Sequence, residues 1–305
     1  MLKNITSANK IKDGVRHDEN QYLHLIKDII KEGDIVNGRN GETKAIFGAA
    51  MHFSLEENKI PILTTKKVAW KTCLRELLWF IRGSTSNIEL QNKNVKIWNG
   101  NGSRDFLDSR GLHHLKENDL GPIYGHQWRF FNAPYTDCDT NYEGKGVDQL
   151  QYIIDNLKDP EKRTSRRLVM SSWNPSQLNE MALPPCHVLA QFNVVKGDNL
   201  SCSLYQRSGD IGLGVPFNVA SYSLLTHIIA KHCGLKATEF CYYLGNSHIY
   251  SDHIDPLKEQ LDRKPYNFPT VSILNIYEDI NDYNETDIVI NNYKCHDSIK
   301  MVMRK

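Results

Sequence analysis

The chain has 305 residues, of which 40% are apolar and 24% are charged, and its formal net charge is +1. This apolar fraction is ample for a folded core at this length, and charge this balanced argues against a nucleic-acid-binding surface. No apolar run approaches the roughly 20 residues that a membrane-spanning helix needs, so no membrane partner is expected.

Cysteine usage and the N-terminal stretch bear on compartment and domain organisation. The seven cysteines are an odd number without CxxC spacing, which is typical of reduced thiols in a cytoplasmic protein and predicts no structural zinc site. Residues 1–18 are too polar for a secretory signal and are predicted to be a loosely ordered extension. No linker-like change in composition follows, so residues 19–305 are expected to form one domain.

The first predicted elements are a helix and a strand separated by a turn. Apolar residues at helical spacing from Asn20 predict a helix that ends at Gly33. A glycine-rich turn at 37–42 carries Arg39, for which a solvated loop arginine is the ordinary interpretation. The next apolar run predicts a strand over 45–55.

A second helix is predicted over 70–81, ended by Gly83. Glu76 lies close to its apolar face, where a salt bridge at the rim of the core is the more common role. A carboxylate lodged beside Trp79 and Phe80 would instead have a raised pKa, which suits proton transfer near neutral pH.

The middle of the chain offers several polar and aromatic candidates. Trp98 and Asn101 stand near a predicted strand end, where Trp98 is by default a core residue. Tyr124 follows a Gly-Pro-Ile turn that can aim its hydroxyl inward, with ordinary packing as the alternative. Apolar residues over 147–157 predict another amphipathic helix.

An arginine cluster precedes a strand predicted over 168–173. Its members are Arg163, Arg166 and Arg167. Such a run is usually a solvated surface, but guanidinium groups that converge on one anion suit a phosphate well.

A predicted hairpin carries the strongest chemical signal. Cys186 comes just before an alternating run over 188–195, and a short turn joins this run to a second one over 200–205. The hairpin would place the thiol against Arg207 and Ser208. A thiol beside a guanidinium group is held as the thiolate, the form that attacks carbon.

A long apolar helix is predicted over about 216–232, opened by Asn218, whose amide can read the edge of a base. A strand over 239–243 and a loop over 244–250 follow. Each signal is weak alone, since a lone cysteine is usually a small buried hydrophobe. A nucleophilic cysteine (Cys186), an arginine that can bind an anion (Arg207) and an amide that can bind a base (Asn218) lie close together in the sequence. This combination suggests covalent chemistry on a nucleotide.

Long ordered stretches from Gln21 to about Met303 resemble the thymidylate synthase family, with an insert at 101–108 similar to that of animal-type members. The matching segments are Ile62–Lys66, Arg75–Phe80, Val95–Trp98, Asp119–Gly125, Met181–His187, Tyr205–Asp210, Gly214–Tyr222 and His248–Tyr250. The resemblance implies a single-domain α+β fold with a large, twisted, mixed β-sheet packed by helices. It also implies a homodimer formed sheet to sheet.

The activity implied by the resemblance is that of a folate-dependent methyltransferase. It would convert dUMP to dTMP with 5,10-methylenetetrahydrofolate as co-substrate, give dihydrofolate, and need no metal. The catalytic residues implied are Cys186, Glu76, Tyr124, His187, Arg207 and Asn218. Cys186 would add to C6 of the pyrimidine, while Glu76 and Tyr124 would move protons.

The resemblance also assigns the binding residues. Those implied for dUMP are Arg39, Arg166, Arg167, Gln206, Arg207, Ser208, Asp210, Asn218, His248 and Tyr250, with Arg166 and Arg167 reaching the partner's site. Those implied for the folate are Ile97, Trp98, Asn101, Leu183, Asp210, Leu213, Gly214, Phe217 and Met303. Because a freely flipping Asn218 amide would also accept cytosine, His187 and Glu76 are expected to pin it through water.

The chain departs from the family pattern at several positions. Asparagine stands at 99 and 246 where aspartate is usual, and the Arg39 loop is one residue shorter. The final residues Met303-Arg304-Lys305 replace a short apolar terminus that closes over the ligands. A terminus that admits water favours the alternative of a dUMP or dCMP hydroxymethylase. The other alternative is a catalytically silent nucleotide-binding relative.

Overall fold

The computed structural model of the chain describes residues 17–38 and 40–304. The predicted extension over residues 1–18 lies outside them except for its last two residues, and so do Arg39 and Lys305. Of the two described residues, Asp18 accepts a hydrogen bond from the backbone N–H of Ser54 at 2.9 Å.

The described chain contains both helices and strands, with a run of five helices between β2 and β3. The helices are α1 (Glu19–Glu32), α2 (Trp70–Ile81), α3 (Asn87–Asn92), α4 (Arg104–Ser109), α5 (Tyr124–Phe130), α6 (Gln149–Lys158), α7 (Gly214–His232) and α8 (Ile254–Leu261). The strands are β1 (Asp34–Gly38), β2 (Gly41–Ser54), β3 (Val169–Ser171), β4 (His187–Val195), β5 (Asn199–Asp210), β6 (Lys236–Tyr250), β7 (Thr270–Ile273) and β8 (Ile288–Asn291).

The described strands form a six-stranded sheet, in the order β1-β2-β6-β5-β4-β3, and a separate β7–β8 ribbon. In the large sheet, β5 and β6 run parallel and the other neighbours are antiparallel. The predicted α+β fold with a mixed sheet is therefore confirmed. No helix in the described ranges is long and apolar enough to cross a bilayer.

Helix α7 is the buried centre of the fold. It links the parallel strands β5 and β6 and packs against both of them and against α2. Its own residues are buried on nearly all sides, including the apolar Leu224, Leu225, Ile228 and Ile229. A helix that is apolar all round belongs inside a core, and its N-terminus is thereby fixed beside the end of β5.

Within residues 17–38 and 40–304, no helix covers the opposite face of the large sheet. On β5 and β6 the side chains alternate, so that Phe240 and Tyr242 point to α7 while Cys241 and Tyr243 point outward. Exposed apolar side chains accompany this sheet, with Phe47 84% exposed and Tyr205 39% exposed.

Two sequence predictions about local structure are wrong. Residues 244–250 were expected to form a loop, but β6 continues to Tyr250, paired with β2 on one side and β5 on the other. Gly245 is there because a Cβ would lie 2.7 Å from the carbonyl oxygen of Arg207, so it marks close strand packing rather than a turn. Trp98 and Asn101 lie in turns after α3 and not near a strand end.

Candidate active site

Cys186 lies at the start of β4, where three segments of backbone meet. Its carbonyl oxygen accepts a hydrogen bond from the backbone N–H of Arg207 at 3.0 Å. Its own backbone N–H donates to the hydroxyl of Tyr124 at 2.7 Å. His187 pairs with Gln206 in the β4–β5 ladder. The hairpin and the first residue of α5 therefore fix the position of the sulfur.

The side chain of Arg207 folds back over the segment before the cysteine. Its Nε donates to the carbonyl of Pro185 at 2.8 Å and its Nη2 donates to that of Pro184 at 2.9 Å, with the guanidinium 5.5 Å from the ring centre of Trp173. Burial nevertheless raises the pKa of the Cys186 thiol, and Arg207 only partly opposes that shift. Arg207 therefore acts in the predicted direction, toward the thiolate, while lost hydration outweighs its guanidinium charge in the single chain.

Asn218, in the first turn of α7, bonds directly to His187. The distance from its Nδ2 to His187 Nε2 is 2.7 Å. Burial lowers the pKa of His187 to about 4, so the ring is neutral and Nε2 can accept the amide hydrogen. Of the two pinning partners expected from the sequence, His187 therefore bonds the amide without an intervening water, and the Nδ1–H tautomer of its ring sets which way the Asn218 amide points.

Tyr242, a β6 residue that the sequence reading missed, lies behind this pair. Its hydroxyl donates to Gln206 Oε1 at 2.6 Å and lies 3.4 Å from Asn218 Oδ1. Gln206 Nε2 in turn donates to the carbonyl of Ser208 at 2.8 Å. Alternation along the predicted strand 239–243 could have revealed Tyr242, because it shares the inward face with Phe240.

Glu76, on α2, faces the same cleft. The indole Nε1 of Trp98 donates to its Oε1 at 2.6 Å, although Trp98 is far along the chain. Burial raises the pKa of Glu76 to about 7, and the Trp98 bond only partly offsets this. The carboxyl can therefore give or take a proton near neutral pH.

Aromatic rings form one wall of the cleft. The ring of Tyr124 lies 4.9 Å from that of Phe80, 6.2 Å from that of Trp98 and 5.0 Å from that of His187, centre to centre. Burial raises the pKa of Tyr124 well above its usual value, so its hydroxyl stays protonated and can donate or relay a proton.

The predicted folate residues include half-buried apolar groups and one unusual amide. Asn101 is 7% exposed, and its Nδ2 is buried without a hydrogen-bond partner in the described chain. A buried donor without a partner costs folding free energy. The Asn101 Nδ2–H is therefore well placed to donate to an acceptor atom of a ligand. Ile97, Leu183 and Phe217 are half-buried and pack against the core.

Asp210 and the turn that follows it lead into α7. Its Oδ1 accepts from the backbone N–H groups of Gly212 at 2.8 Å and Leu213 at 3.4 Å. A Cβ at Gly214 would meet only ordinary contacts, the nearest being 3.8 Å from Asp210. The room above Gly214 permits a flat group to approach the backbone.

The residues predicted for the sugar lie at the end of β6. His248 Nδ1 bonds to Asn246 Oδ1 at 2.9 Å, so the asparagine found instead of aspartate orients this ring. The rings of His248 and Tyr250 are 5.4 Å apart. The guanidinium of Arg304 lies 5.4 Å from the ring centre of Tyr250, whereas Met303 is half exposed to solvent.

Arg166 and Arg167 are exposed and are not brought to the thiol of their own chain. Gln191 Nε2 donates to the carbonyl of Arg166 at 3.2 Å, which puts this backbone beside the middle of β4. At about 3.3 Å per strand residue, the stretch from Cys186 to Gln191 spans roughly 16 Å. Arg39 lies outside the described residues.

Comparison with known proteins gives consistent results. The family model described as thymidylate synthase matches residues 20–305. A thymidylate synthase from Homo sapiens is 53% identical over 94% of this chain and 91% of its own length, and one from Ascaris suum is 52% identical over 95% and 98%. A bifunctional dihydrofolate reductase-thymidylate synthase from Leishmania major is 51% identical over 94% of this chain, but the chain spans only 55% of that relative. Together with the cleft around Cys186, these matches show that the chain belongs to the thymidylate synthase family.

Proposed function

We propose that the chain is a thymidylate synthase, a methyltransferase that makes dTMP and dihydrofolate from dUMP and 5,10-methylenetetrahydrofolate. The observation that carries this proposal is the convergence of Cys186, Tyr124 and the Asn218–His187 pair in one cleft, with hydrogen bonds of 2.7 Å at both contacts. Residues 19–305 would form the catalytic domain of a cytoplasmic enzyme, with 1–18 as an extension.

The first step is nucleophilic attack. C5 of a pyrimidine is a poor nucleophile, but addition of the Cys186 sulfur to C6 turns the ring into an enolate whose C5 can attack an electrophilic carbon. The thiol must lose its proton for this. Because burial raises the pKa of Cys186 and Arg207 lowers it, the guanidinium is the group that favours the thiolate.

Asn218 reads the base. One hydrogen of its Nδ2 is taken by His187 Nε2 at 2.7 Å, which leaves the second hydrogen for O4 of uracil and Oδ1 for the N3–H. Cytosine presents the reverse pattern at these two positions, so it would need the amide to flip and the neutral His187 ring to move its proton from Nδ1 to Nε2. The pinned amide therefore favours dUMP over dCMP.

Glu76 and Tyr124 handle protons around the ring. With a pKa of about 7, Glu76 can protonate and deprotonate O4 through water. The Tyr124 hydroxyl, held at the Cys186 backbone, can help remove the C5 proton. The folate supplies the one-carbon unit and then the hydride that completes the methyl group.

The folate residues fit a flat, partly apolar ligand. Trp98, Leu183 and Phe217 offer apolar surface, and the unpaired Asn101 Nδ2 offers a donor. Asp210 offers a carboxylate oxygen beside the space over Gly214. Ile97, Leu213 and Met303 complete the proposed folate set.

The phosphate and the sugar complete the binding of dUMP. Arg207, Ser208 and Arg39 would hold the phosphate together with the partner subunit's Arg166 and the partner subunit's Arg167. A homodimer formed through the uncovered sheet face supports this arrangement, because Arg166 is roughly 16 Å along β4 from its own Cys186. His248 and Tyr250 would bind the ribose hydroxyl.

A spectroscopic assay of dihydrofolate formation tests the proposal. With the folate present, dUMP is expected to give dihydrofolate and dTMP, and dCMP is expected to give far less product. A 5-hydroxymethyl nucleotide without dihydrofolate would identify a hydroxymethylase instead. Nucleotide binding without turnover would identify a silent relative.

A further inference from the structure

Two Asn-Gly pairs follow one another in the turns after α3, at Asn99-Gly100 and Asn101-Gly102. In such a pair the backbone nitrogen of the glycine can attack the side-chain amide carbon of the asparagine, because glycine has no Cβ to hinder the approach. The product is a five-membered succinimide ring, which water opens to aspartate or isoaspartate. Both pairs share this local chemistry, so a difference in their reactivity has to come from the fold.

The backbone nitrogen of the second residue differs between the two pairs. Within the described part of the chain, no group accepts a hydrogen bond from the Gly100 N–H, and Asn99 is exposed. The Gly102 N–H instead donates to the carbonyl of Trp98 at 2.9 Å, and Asn101 is only 7% exposed. The attacking nitrogen must lose its proton, and a hydrogen bond to a carbonyl has to be broken first. The fold therefore leaves Asn99 open to the reaction and protects Asn101.

Two side-chain amides polarise the carbonyl group of Asn99. Asn87 Nδ2 donates to Asn99 Oδ1 at 3.2 Å and Gln91 Nε2 donates to it at 3.1 Å. Both donors are held in place by Asn118 Oδ1, at 2.8 and 2.9 Å. When a nucleophile adds to an amide carbon, negative charge develops on the oxygen, and donors already aimed at that oxygen stabilise the transition state. Because Oδ1 faces this cluster, the leaving group Nδ2 points away from it.

We propose that Asn99 is a self-modification site, at which the Gly100 nitrogen displaces the side-chain amide as ammonia and water opens the succinimide to aspartate or isoaspartate. The bond from the Gly100 nitrogen to Cγ forms, the bond from Cγ to Nδ2 breaks, and the proton lost by Gly100 leaves with the ammonia. Hydrolysis then consumes one water molecule. The step needs no oxidant or reductant, and it is independent of the proposed reaction.

The two products differ in their effect on the neighbouring residues. An aspartate keeps the course of the backbone, and its carboxylate accepts from Asn87 and Gln91 more strongly than an amide does. An isoaspartate routes the main chain through Cγ and so lengthens it between Trp98 and Asn101. The longer main chain shifts Trp98, whose indole donates to Glu76 at 2.6 Å. Accumulated isoaspartate is therefore expected to lower activity, a consequence that rests on the proposed function.

The competing interpretation is that the same cluster restrains the Asn99 side chain and keeps its Cγ away from the Gly100 nitrogen. The two interpretations predict opposite effects when a donor is removed. Gln91→Ala removes one donor at a partly exposed position of α3, where alanine favours the helix. Stabilisation of the developing charge predicts about fivefold slower conversion in this variant, whereas restraint predicts faster conversion.

Peptide mapping by mass spectrometry of the full-length chain, aged at mildly alkaline pH, measures the conversion of each asparagine. Conversion at Asn99 is expected to be at least about tenfold faster than at Asn101, and the two rates should become similar in urea, where both turns are unfolded. Asn92→Ala, at the exposed position next to Gln91, is the matched control and should leave the rate unchanged, because both donors to Asn99 remain. Equal rates at Asn99 and Asn101 in the folded chain, or faster conversion in Gln91→Ala, would overturn the proposal.

Activity gives a second and separate readout. Dihydrofolate formation by the aged chain should fall in proportion to the isoaspartate fraction, and Gln91→Ala should lose activity more slowly on ageing. A freshly prepared chain without activity would contradict the proposed function but not this inference, because the mapping needs no turnover.

Discussion

At the level of single residues, the proposed selection of uracil over cytosine depends on the contact between Asn218 Nδ2 and His187 Nε2 at 2.7 Å. His187 stays neutral because burial lowers its pKa to about 4. A protonated ring would be a donor at both nitrogens and could not accept from the amide. The low pKa of His187 therefore keeps Nε2 able to accept a hydrogen bond from the Asn218 amide.

Replacing His187 should relax the choice of base. His187→Ala removes the acceptor, so the amide can flip, and the dUMP-to-dCMP ratio of kcat/KM is expected to fall about tenfold, the worth of one hydrogen bond. His248→Ala is the control, because a sugar contact should weaken both nucleotides alike. An unchanged ratio in His187→Ala would show that Asn218 is held by something else.

Glu76 should make stability depend on pH. Its pKa is raised from 4.5 to about 7, so between these values the folded chain keeps a proton that the unfolded chain has lost. The stability gained from that proton is present below about pH 4.5 and is lost as the pH rises through 7. Glu76→Gln, which mimics the protonated carboxyl, should match the wild type near pH 4.5 and be about 1–3 kcal/mol more stable at pH 8.

Denaturant unfolding at the two pH values measures this difference. The exposed Glu117→Gln serves as the control and should differ from the wild type equally at both. A stability difference for Glu76→Gln that does not change with pH would contradict the raised pKa. Activity should meanwhile fall by about 100-fold or more, since the proton carrier is gone.

The sequence predicted which of the candidate residues lie together better than it predicted their protonation states. Adjacent strands and a short turn were enough to bring Cys186 to Arg207. The local sequence could not predict whether burial or the Arg207 charge dominates the pKa of Cys186, because that burial depends on how α5 and α7 pack in the folded chain. The contact of Tyr242 with Gln206 was not predictable for a similar reason, since Gln206 is on another strand; alternation could show only that Tyr242 faces inward.

Among the secondary-structure elements, the turn before α5 controls where Tyr124 points. Gly121 has a φ of +72°, and a Cβ there would lie 2.1 Å from the carbonyl oxygen of Glu180. Both the backbone conformation and the lack of space require glycine. The turn then delivers the Tyr124 hydroxyl to the backbone of Cys186.

Gly121→Ala should be much more damaging than a glycine change that carries the φ penalty alone. Gly144 has a φ of +73° with open space around it, so Gly144→Ala is expected to cost about 1 kcal/mol. Gly121→Ala adds the clash and should cost about 2–4 kcal/mol in all. Urea unfolding measures both free energies. Equal losses of unfolding free energy in the two variants would mean that the backbone at Glu180 moves away at little cost.

Elements with a strong local period were predicted well, and the central strand was not. The apolar spacing of α1 and α2 and the alternation of β4 identified those elements almost to the residue. The second half of β6 contains glycine, asparagine and serine, which locally favour a turn. Pairing with β2 and β5 overrides that preference, and such pairing is not visible in a local window.

For the chain as a whole, the main feature is the face of the large sheet opposite α7, which no helix of the described residues packs against. Tyr205, which pairs with the outward-facing Tyr243, is 39% exposed there, and apolar groups on an exposed sheet favour association. The separation of Arg166 from its own Cys186 adds a functional reason for a second copy. Both observations support the proposed homodimer.

Mixing two inactive variants tests whether sites are shared. Cys186→Ser lacks the nucleophile. The double variant Arg166→Ala/Arg167→Ala lacks the two arginines that would bind the phosphate in the site of the other subunit. After random reassociation, half of the dimers are mixed and each mixed dimer has one complete site, so activity should recover to about one quarter of the wild type. No recovery, with mixed dimers present by mass, would argue against shared sites.

The most direct measurement of the central claim, that Cys186 bonds to C6 of the pyrimidine, is mass spectrometry of the denatured chain after incubation with 5-fluoro-dUMP and 5,10-methylenetetrahydrofolate. Because fluorine replaces the hydrogen on C5, the later loss of a proton from C5 cannot occur, and the covalent complex accumulates. The account predicts a mass increase equal to nucleotide plus folate, located on the peptide that contains Cys186 and absent from Cys186→Ser. An active wild-type enzyme that forms no adduct, or an adduct that persists in Cys186→Ser, would contradict it.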